Sequence, residues 1–424
     1  MRTDVVHTFG TRIVTFIISA VASIILVRFL GAEGRGVLGV ILMTVGILTI
    51  LADFGITFAN VYFTTREKPS VLFWNSLSSG IFIGLILIGV AKIIILVIPS
   101  AFRGIEHHLL LLCAISLPFI LVTTYFSGII RGLQEIKALN IFSFLNTIFI
   151  LLAYIIILSY YPTVRTVILI ILASNVFLFL MHSIYLSRKV SVGNPVLDFK
   201  VLGKSISFGV KGYLGNVLQF FNYRIDVLIA NWFCGPRYVG FYVVSVAVAE
   251  SLWHLGNSVS SVLFPYVSAC RDDRENARIT TIYSRVTFYL TLLMALIIAF
   301  ISPYLITLLF GSDFSESILP FLLLLPGVVI FSFTTVIASY LAGVGLPHYN
   351  TIVAAVSFVV TIILDVILIP RWGINGAAIA TSISYITATV VIILLYKKQT
   401  KISLGEIILP KISDFLSLRS VFKR

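Results

Sequence analysis

FLGAEGRG at residues 29–36 and FCGPRYVG at residues 233–240 share the pattern F-x-G-x-x-x-x-G, and the two copies lie 204 residues apart. Each copy falls between the first and second apolar stretches of a series of six, and that series occurs twice along the chain. A repeated helical bundle of this kind is typical of secondary transporters, in which two pseudo-symmetric halves rock about a site held between them. The repeat therefore favours transport over catalysis.

Composition places the chain in a lipid bilayer. Of its 424 residues, 59% are hydrophobic and only 11% are charged, whereas about 25% of the residues in soluble domains are charged. A membrane helix needs about 20 mostly apolar residues, and about twelve stretches qualify, at 9–30, 36–63, 72–98, 107–129, 139–159, 164–187, 204–231, 238–266, 282–310, 317–342, 349–369 and 375–396. We predict an all-α, polytopic membrane protein with about 12 transmembrane helices in two pseudo-symmetric six-helix bundles. Because each bundle has an even number of spans, the bundles form a parallel repeat.

The predicted domains follow from this repeat. They are an N-terminal six-helix lobe at 1–187, a cytoplasmic basic linker at 188–203, a C-terminal six-helix lobe at 204–396 and a cytoplasmic basic tail at 397–424. The tail mixes Ile, Leu and Phe with Lys and Arg, which is typical of an interfacial amphipathic helix. A disordered tail is the alternative.

The net charge of +13 raises the question of nucleic acid, but the placement of the basic residues indicates a membrane instead. Most Lys and Arg fall in segments that are cytoplasmic if the amino terminus is inside, as the positive-inside rule requires. We therefore expect a multi-pass protein of the cell membrane with both termini cytoplasmic, in contact with membrane lipids and not with nucleic acid. The sequence contains no nucleophile constellation, no metal-ligand set and no phosphate-binding glycine-rich loop. We accordingly predict no enzyme activity, no metal and no resident cofactor.

A polar stripe runs along one face of the seventh span. Its members are spaced 4, 4, 3 and 4 residues apart, which stacks them on a helix; they are Lys211, Gly215, Gln219, Asn222 and Asp226. Asn216 and Arg224 flank the stripe. Because such a face cannot point at lipid, it either packs in a polar helix interface or lines an aqueous cavity. The first span carries a matching stripe, in which Arg12 aligns with Asn216 and Thr15 aligns with Gln219 at the 204-residue offset.

The second and eighth spans carry buried acids on comparable faces. Asp53 aligns with Asn257, and Glu250 lies one turn from His254. Asp53, Asp226 and Glu250 are candidates for binding a coupling proton or sodium ion, with His254 as a partner of Glu250. The alternative for Asp53 and Glu250 is a fixed ion pair or a hydrogen-bonded acid that locks helices together.

The chain resembles the polysaccharide biosynthesis flippases of the multidrug/oligosaccharidyl-lipid/polysaccharide exporter (MOP) superfamily. The resemblance is carried by FLGAEGRGVLGV with LADFGI (29–40, 51–56), IRGLQEIKALN (130–140), YRIDVLIANWFCGPRYVGFYVVSVAVAESL with VLFPYVS (223–252, 262–268), and LAGVGLPHYN with LIPRWGINGAAIATSISY (341–350, 368–385). Such proteins often have a neutral polar residue where this chain has Asp365. We interpret Asp365 as a variation at the outer end of the eleventh span, paired with Arg371.

The resemblance implies a twelve-helix, MATE-like fold with a central cavity that opens alternately to the two sides of the membrane. The implied substrate is an oligosaccharide linked by pyrophosphate to a polyprenyl lipid, and the implied partners are a glycan polymerase and glycosyltransferases. Arg12, Lys211 and Arg224 would bind the anionic part of this substrate, and Thr15, Asn216, Gln219, Asn222 and Asn257 would line the cavity. The alternatives are a cation-coupled exporter of small molecules on the same fold and a membrane-embedded polysaccharide polymerase.

Overall fold

A computed structural model describes residues 2–190, 192–193, 195, 197–270 and 272–409, and the side chains of residues 2–9, 12 and 211 lie outside this description. All regular secondary structure in the described residues is helical, which confirms the predicted fold class. The first eight α-helices are α1 (Arg2–Ala52), α2 (Ile56–Phe63), α3 (Pro69–Val97), α4 (His107–Ala114), α5 (Leu117–Gly132), α6 (Ile136–Ile157), α7 (Val164–Lys189) and α8 (Phe199–Cys234). The remaining six are α9 (Pro236–Glu250), α10 (Trp253–Ala269), α11 (Asp273–Phe310), α12 (Ile318–Gly343), α13 (Pro347–Thr400) and α14 (Leu404–Ile408).

The chain forms two compact units. Unit 1 comprises Met1–Val217 and Gly235–Gly240, and unit 2 comprises Leu218–Cys234 and Phe241–Arg424. The helix α8 is therefore shared, because its amino-terminal half makes its contacts in unit 1 and its carboxyl-terminal half makes them in unit 2. The predicted lobes at 1–187 and 204–396 and the segments beside them stay a prediction.

Membrane-spanning helices account for most of both units. In the described residues, eight helical segments are long and apolar enough to cross a bilayer, and α9 with α10 forms a ninth that is bent by 44°. Two of the eight, in α1 and α13, are 40 and 54 residues long. At about 1.5 Å per residue each exceeds the hydrocarbon thickness of about 30 Å roughly twofold, so each holds two spans. With α8, which is 36 residues long but more polar, the helices match the twelve predicted spans.

Two glycines break the helices at the repeated F-x-G-x-x-x-x-G pattern. Gly31 has a φ of 65° and divides α1, and Gly235 has a φ of 82° and separates α8 from α9. A φ in this range strains residues with a β-carbon, which explains why both copies carry glycine at this position. The repeat seen in the sequence is thus a repeated change of direction between the first and second spans.

Side chains of α3 hold the start of α8 in unit 1. The Trp74 indole donates to the carbonyl oxygen of Val192 (3.0 Å). The Asn75 amide donates to the carbonyl oxygen of Asp198 (2.9 Å) and accepts from the Asp198 backbone N–H (3.0 Å). Asn75 thereby pairs with Asp198 as a peptide group would, and the first turn of α8 is fixed against α3.

The described beginning of the predicted tail packs on unit 2. Arg285 of α11 donates to the carbonyl oxygen of Glu406, and the Tyr289 hydroxyl donates to that of Ile408 (3.2 Å). Ile407, in the five-residue helix α14, is fully buried. Residues 410–424 of the predicted amphipathic tail lie outside the described residues.

Candidate functional site

The carboxyl-terminal half of α8 meets both halves of α13 in a buried polar network. Asn222 is 1% exposed; its amide donates to the Ser357 hydroxyl (3.0 Å), and its oxygen accepts from Thr361 (2.6 Å) and Ser384 (3.1 Å). Thr361 and Ser384 also bond to each other (2.6 Å). Asn222 therefore lies in a polar interface between helices of unit 2, where its bonding groups are satisfied.

One turn further along α8, Asp226 is held entirely by neutral donors. Its carboxylate accepts from the Tyr242 hydroxyl (2.5 Å), the Thr381 hydroxyl (3.2 Å) and the backbone N–H of Val227 (2.8 Å). The residue is 2% exposed. Hydrogen bonds to a carboxylate stabilise its charged form, yet no cation of the described residues bonds to this one.

Asp365 of α13 lies close enough to Asp226 for the two carboxyl groups to interact electrostatically. Asp365 is fully buried, and neither of its carboxylate oxygens has a hydrogen-bond partner in the described residues. Burying an uncompensated charge costs several kcal/mol. Within this pair, the unsatisfied polar atoms in the described residues are therefore the two oxygens of Asp365.

The predicted pairing of Asp365 with Arg371 is wrong. The helix does not end near residue 369, because α13 continues through Pro370 to the break at Gly373, where φ is 56°. Asp365 is eight residues, or about 12 Å, from that break, and neither of its oxygens accepts a hydrogen bond from Arg371. Its electrostatic neighbour is Asp226.

Arg224 and Glu250 form a bidentate ion pair in unit 2. The two guanidinium Nη atoms lie 2.9 and 2.7 Å from the two Glu250 carboxylate oxygens. The Arg224 side chain is 33% exposed and that of Glu250 is 15% exposed. The partner of Glu250 in this pair is thus Arg224, whereas the sequence suggested His254.

Aromatic rings surround the backbone next to this pair. Tyr223 packs against Trp253 with ring centroids 4.9 Å apart, and Trp253 lies 5.6 Å from Tyr385. Gln219, one turn before Tyr223 on α8, hydrogen-bonds to the Tyr223 hydroxyl. The Trp253 indole N–H is buried and lacks a partner in the described residues. One donor therefore remains available close to a charged pair.

Asp53 of unit 1 lies in the break between α1 and α2. It is 3% exposed and accepts from the Thr57 hydroxyl (2.6 Å) and from the backbone N–H of the same residue (3.3 Å). A third hydrogen bond joins it to Tyr213, on the amino-terminal half of α8. In this structure Asp53 is a hydrogen-bonded acid that connects α8 to the start of α2.

The same half of α8 packs closely along α2. A β-carbon at Gly55 would lie 2.3 Å from the carbonyl carbon of Gly209, so the two backbones touch where only glycines fit. Phe208 stacks on Tyr62 with ring centroids 4.5 Å apart, and Lys204 pairs with Glu67 at 3.4 Å. We call this contact, from residue 204 to residue 213 of α8, the α8–α2 seam.

The other predicted site residues are dispersed. Thr15 donates to the carbonyl oxygen of Thr11 (2.8 Å), which satisfies it within its own helix. Asn216, His254 and Asn257 are exposed. The side chains of Arg12 and Lys211, two of the three predicted substrate-binding cations, lie outside the described residues.

Several residues at these sites escaped sequence analysis. Tyr213, Tyr242, Trp253 and Tyr385 belong to residue types that are common in membrane helices, and nothing in their spacing marks them as polar partners. Asp365 carried a visible signal, since it is a charge within an apolar stretch.

The described residues contain no group of three or more His, Cys, Asp or Glu side chains that could hold a metal ion. Any cation at Asp226 and Asp365 would therefore need hydroxyl or water oxygens as further ligands.

Comparison with known proteins identifies the family. The family model described as polysaccharide biosynthesis protein matches residues 25–319, which is well over half of the chain. The chain belongs to the polysaccharide biosynthesis protein family. The resemblance found in the sequence is thereby confirmed.

Relatives and solved structures agree with this family assignment. A protein of Haloferax volcanii whose name describes a low-salt glycan biosynthesis flippase is 25% identical over 205 residues, which cover 48% of this chain and 43% of that relative. The match thus spans less than half the length of that relative. Among solved structures, the lipid II flippase MurJ in an inward closed conformation superposes with a TM-score of 0.80 at 16% identity, covering 98% of this chain and 91% of MurJ. An inward-facing multidrug resistance transporter of the MATE family has a TM-score of 0.73 at 17% identity, covering 91% and 94%.

These structural likenesses show the fold. This member of the polysaccharide biosynthesis family is a multi-pass membrane protein with the fold of the MOP superfamily, and its predicted MATE-like architecture is confirmed.

Proposed function

We propose that the chain is a flippase that moves polyprenyl-(pyro)phosphate-linked oligosaccharide from the cytoplasmic to the outer leaflet, for surface polysaccharide biosynthesis. It acts in the cell membrane with both termini cytoplasmic, and it works by alternating access. Glycosyltransferases that build the glycan supply its substrate, and a glycan polymerase uses its product. Membership of the polysaccharide biosynthesis family supports this proposal, as do the names of the Haloferax relative and of the MurJ neighbour.

The observation that carries the proposal is the partial exposure of the Arg224–Glu250 pair. Arg224 is ten residues from the end of α8 at Cys234, about 15 Å along the helix axis, so it lies at membrane depth. A charged side chain costs about 2.5–3.5 kcal/mol at the centre of a membrane helix unless it is paired or meets water. A guanidinium that is one-third exposed there is best explained by a hydrated path, and such a path is what an oligosaccharide needs to cross.

The driving ion in this proposal binds at Asp226 and Asp365. Occupation of that site by a proton or a sodium ion compensates the buried charge, and its exchange between the two sides supplies energy for the cycle. Opening toward the cytoplasm separates the α8–α2 seam, since in the proposed orientation the start of α8 is cytoplasmic.

A second candidate function is cation-coupled export of small molecules on the same fold. The observation that favours it is the buried acid pair, because a carboxylate that can bind an inorganic cation can also bind a cationic drug. The two candidates differ in substrate, and a direct assay separates them.

A leaflet-access assay tests the flippase proposal. Purified protein is reconstituted into liposomes that carry a polyprenyl-pyrophosphate-linked oligosaccharide, and a glycosidase is added outside. Protein-free liposomes protect the inner-leaflet half of the glycan, whereas flipping exposes it and carries cleavage toward completion. Arg224→Gln should reduce the rate at least tenfold, while Arg165→Gln, at an exposed arginine, should leave it unchanged. No increase in cleavage with the wild-type protein, together with uptake of a cationic dye by the same vesicles, would support the exporter instead.

A further inference from the structure

Glu250 occupies a hinge position. It is the last residue of α9, and the chain bends by 44° before α10 begins at Trp253. The peptide groups of Ser251 and Leu252 between the two helices do not continue the regular helix. A contact that fixes Glu250 therefore also fixes the bend, because the carboxylate is attached at the point where the helix changes direction.

The partner of Glu250 is a group that recognises two kinds of anion with one geometry. A guanidinium offers two parallel N–H donors that match the oxygen spacing of a carboxylate and of a phosphate equally well. Both Nη atoms of Arg224 are engaged by Glu250, at 2.9 and 2.7 Å. Glu250 thus fills the position on Arg224 that a phosphate group would take.

The surroundings of the pair suit exchange of one anion for another. Arg224 retains 33% of its side-chain exposure while bonded to Glu250, so an incoming anion can approach the guanidinium before the carboxylate leaves. Trp253, three residues after Glu250, holds a buried indole N–H without a partner in the described residues. This donor lies on the far side of the bend, where a change in the bend would re-aim it.

We propose that Glu250 is an internal competitor for an anion site on Arg224, and that the pyrophosphate of the substrate displaces it. Displacement frees the end of α9, and the bend between α9 and α10 relaxes. Occupancy of the anion site is thereby linked to the conformation of the eighth span. The identity of the anion rests on the proposed function, whereas the exchange between carboxylate and phosphate rests on the geometry of the pair alone.

Binding measurements on Glu250→Gln test the competition. Farnesyl pyrophosphate is the probe, and farnesol, which has the same apolar chain without the pyrophosphate, is the control. Removing the competing charge should tighten farnesyl pyrophosphate binding at least tenfold, whereas Glu250→Asp should stay within threefold of wild type and Arg224→Gln should abolish binding. Glu135→Gln is the matched control, because Glu135 forms an ion pair with Lys189 at 2.5 Å elsewhere. Equal affinity in wild type and Glu250→Gln overturns the proposal, and so does equal tightening for farnesol.

A measurement on the wild-type protein keeps the test independent of whether the variant folds. Hydrogen exchange of the peptide that covers residues 248–256 should speed up at least threefold with farnesyl pyrophosphate and not with farnesol. Unchanged exchange at saturating probe contradicts the link to the bend. Neither readout uses transport, so a failure of the leaflet-access assay would remove the proposed function and leave this inference standing, and the reverse outcome is equally distinguishable.

Discussion

Gly36 and Gly240 make the same backbone contact in exchanged positions. A β-carbon on Gly36 would lie 1.6 Å from the carbonyl oxygen of Pro236, and one on Gly240 would lie 1.8 Å from that of Ala32. Ala32 and Pro236 are separated by 204 residues, as are the two glycines. Each glycine therefore contacts the residue that is equivalent, in the other copy of the repeat, to the contact residue of its counterpart. The repeated pattern therefore encodes a mutual contact as well as two turns.

Alanine at either glycine should destabilise the protein. Both β-carbons would meet backbone atoms that cannot rotate away, and overpacking of this kind costs about 1–3 kcal/mol. Thermal unfolding of Gly36→Ala and Gly240→Ala in detergent should show clear losses relative to wild type. Gly89→Ala is the control, since a β-carbon there meets nothing within 4 Å. Equal melting temperatures for all three variants would show that the close contact does not persist in the purified protein.

The Asp226–Asp365 pair should make stability depend on a cation. A ligand that binds only the folded state stabilises it by about 2.7 kcal/mol at a concentration 100 times its Kd. We expect unfolding temperatures to rise with sodium chloride relative to choline chloride if the ion is sodium, or with acidity at fixed salt if it is a proton. Asp365→Asn should remove the response, whereas Asp313→Asn, at an exposed acid, should keep it. A wild-type protein indifferent to both sodium and pH contradicts the cation site.

Cross-linking the α8–α2 seam should stop transport. Tyr62 and Phe208 are each replaced by cysteine in a background that lacks Cys113, Cys234 and Cys270. The two new cysteines are then joined by a short cross-linker that contains a disulfide and is cleaved by a reductant. The proposed cycle separates these positions, so flux should fall at least tenfold and recover on reduction.

The matched control for this cross-link is a pair at positions 135 and 189. Glu135 and Lys189 join the start of α6 to the end of α7, outside the α8–α2 seam. Their cross-link should leave flux within twofold of the uncross-linked protein. Full flux through a protein cross-linked at the seam would mean that the seam stays closed throughout the cycle.

Asn222→Ala should destabilise unit 2. The substitution removes one donor and one acceptor from a buried network, so that the Ser357, Thr361 and Ser384 hydroxyls retain only their bonds to one another and to backbone carbonyls, and the lost hydrogen bonds cost about 1–3 kcal/mol. Asn216→Ala, on the same helix but exposed, should change the free energy of unfolding by less than about 0.5 kcal/mol. Chemical unfolding in detergent distinguishes the two, and equal stabilities would indicate that the network is not closed in solution.

Sequence patterns predicted the features whose cause is local. A positive φ strains residues that carry a β-carbon and is therefore favoured at glycine, and the repeated glycines Gly31 and Gly235 lie at two breaks between helices. The lengths of the apolar stretches likewise predicted the membrane-spanning helices, because about 20 apolar residues are needed to cross the hydrocarbon core. The polar face of α8 was also visible, since helical spacing alone places Asn222 and Asp226 on one side.

The partners of those residues were not predictable, because they come from distant parts of the chain. Asp226 meets Thr381 across 155 residues, and no periodicity links the two. His254 was predicted to be the partner of Glu250 because a continuous helix would place the two residues one turn apart. At Ser251 and Leu252 the backbone forms tighter i→i−3 turns and the helix axis bends by 44°, and the Glu250 carboxylate binds Arg224.

The start of α8 is attached to α3 independently of the connector between α7 and α8. Asn75 binds Asp198 through two hydrogen bonds that cross residues 193–197, whereas Trp74 binds Val192 on the amino-terminal side of that stretch. Two polypeptides, one ending and one beginning within that stretch, would still share the Asn75–Asp198 hydrogen bonds. A chain cut in this connector would thus retain a noncovalent link between its two pieces, which is a requirement for split fragments to reassociate.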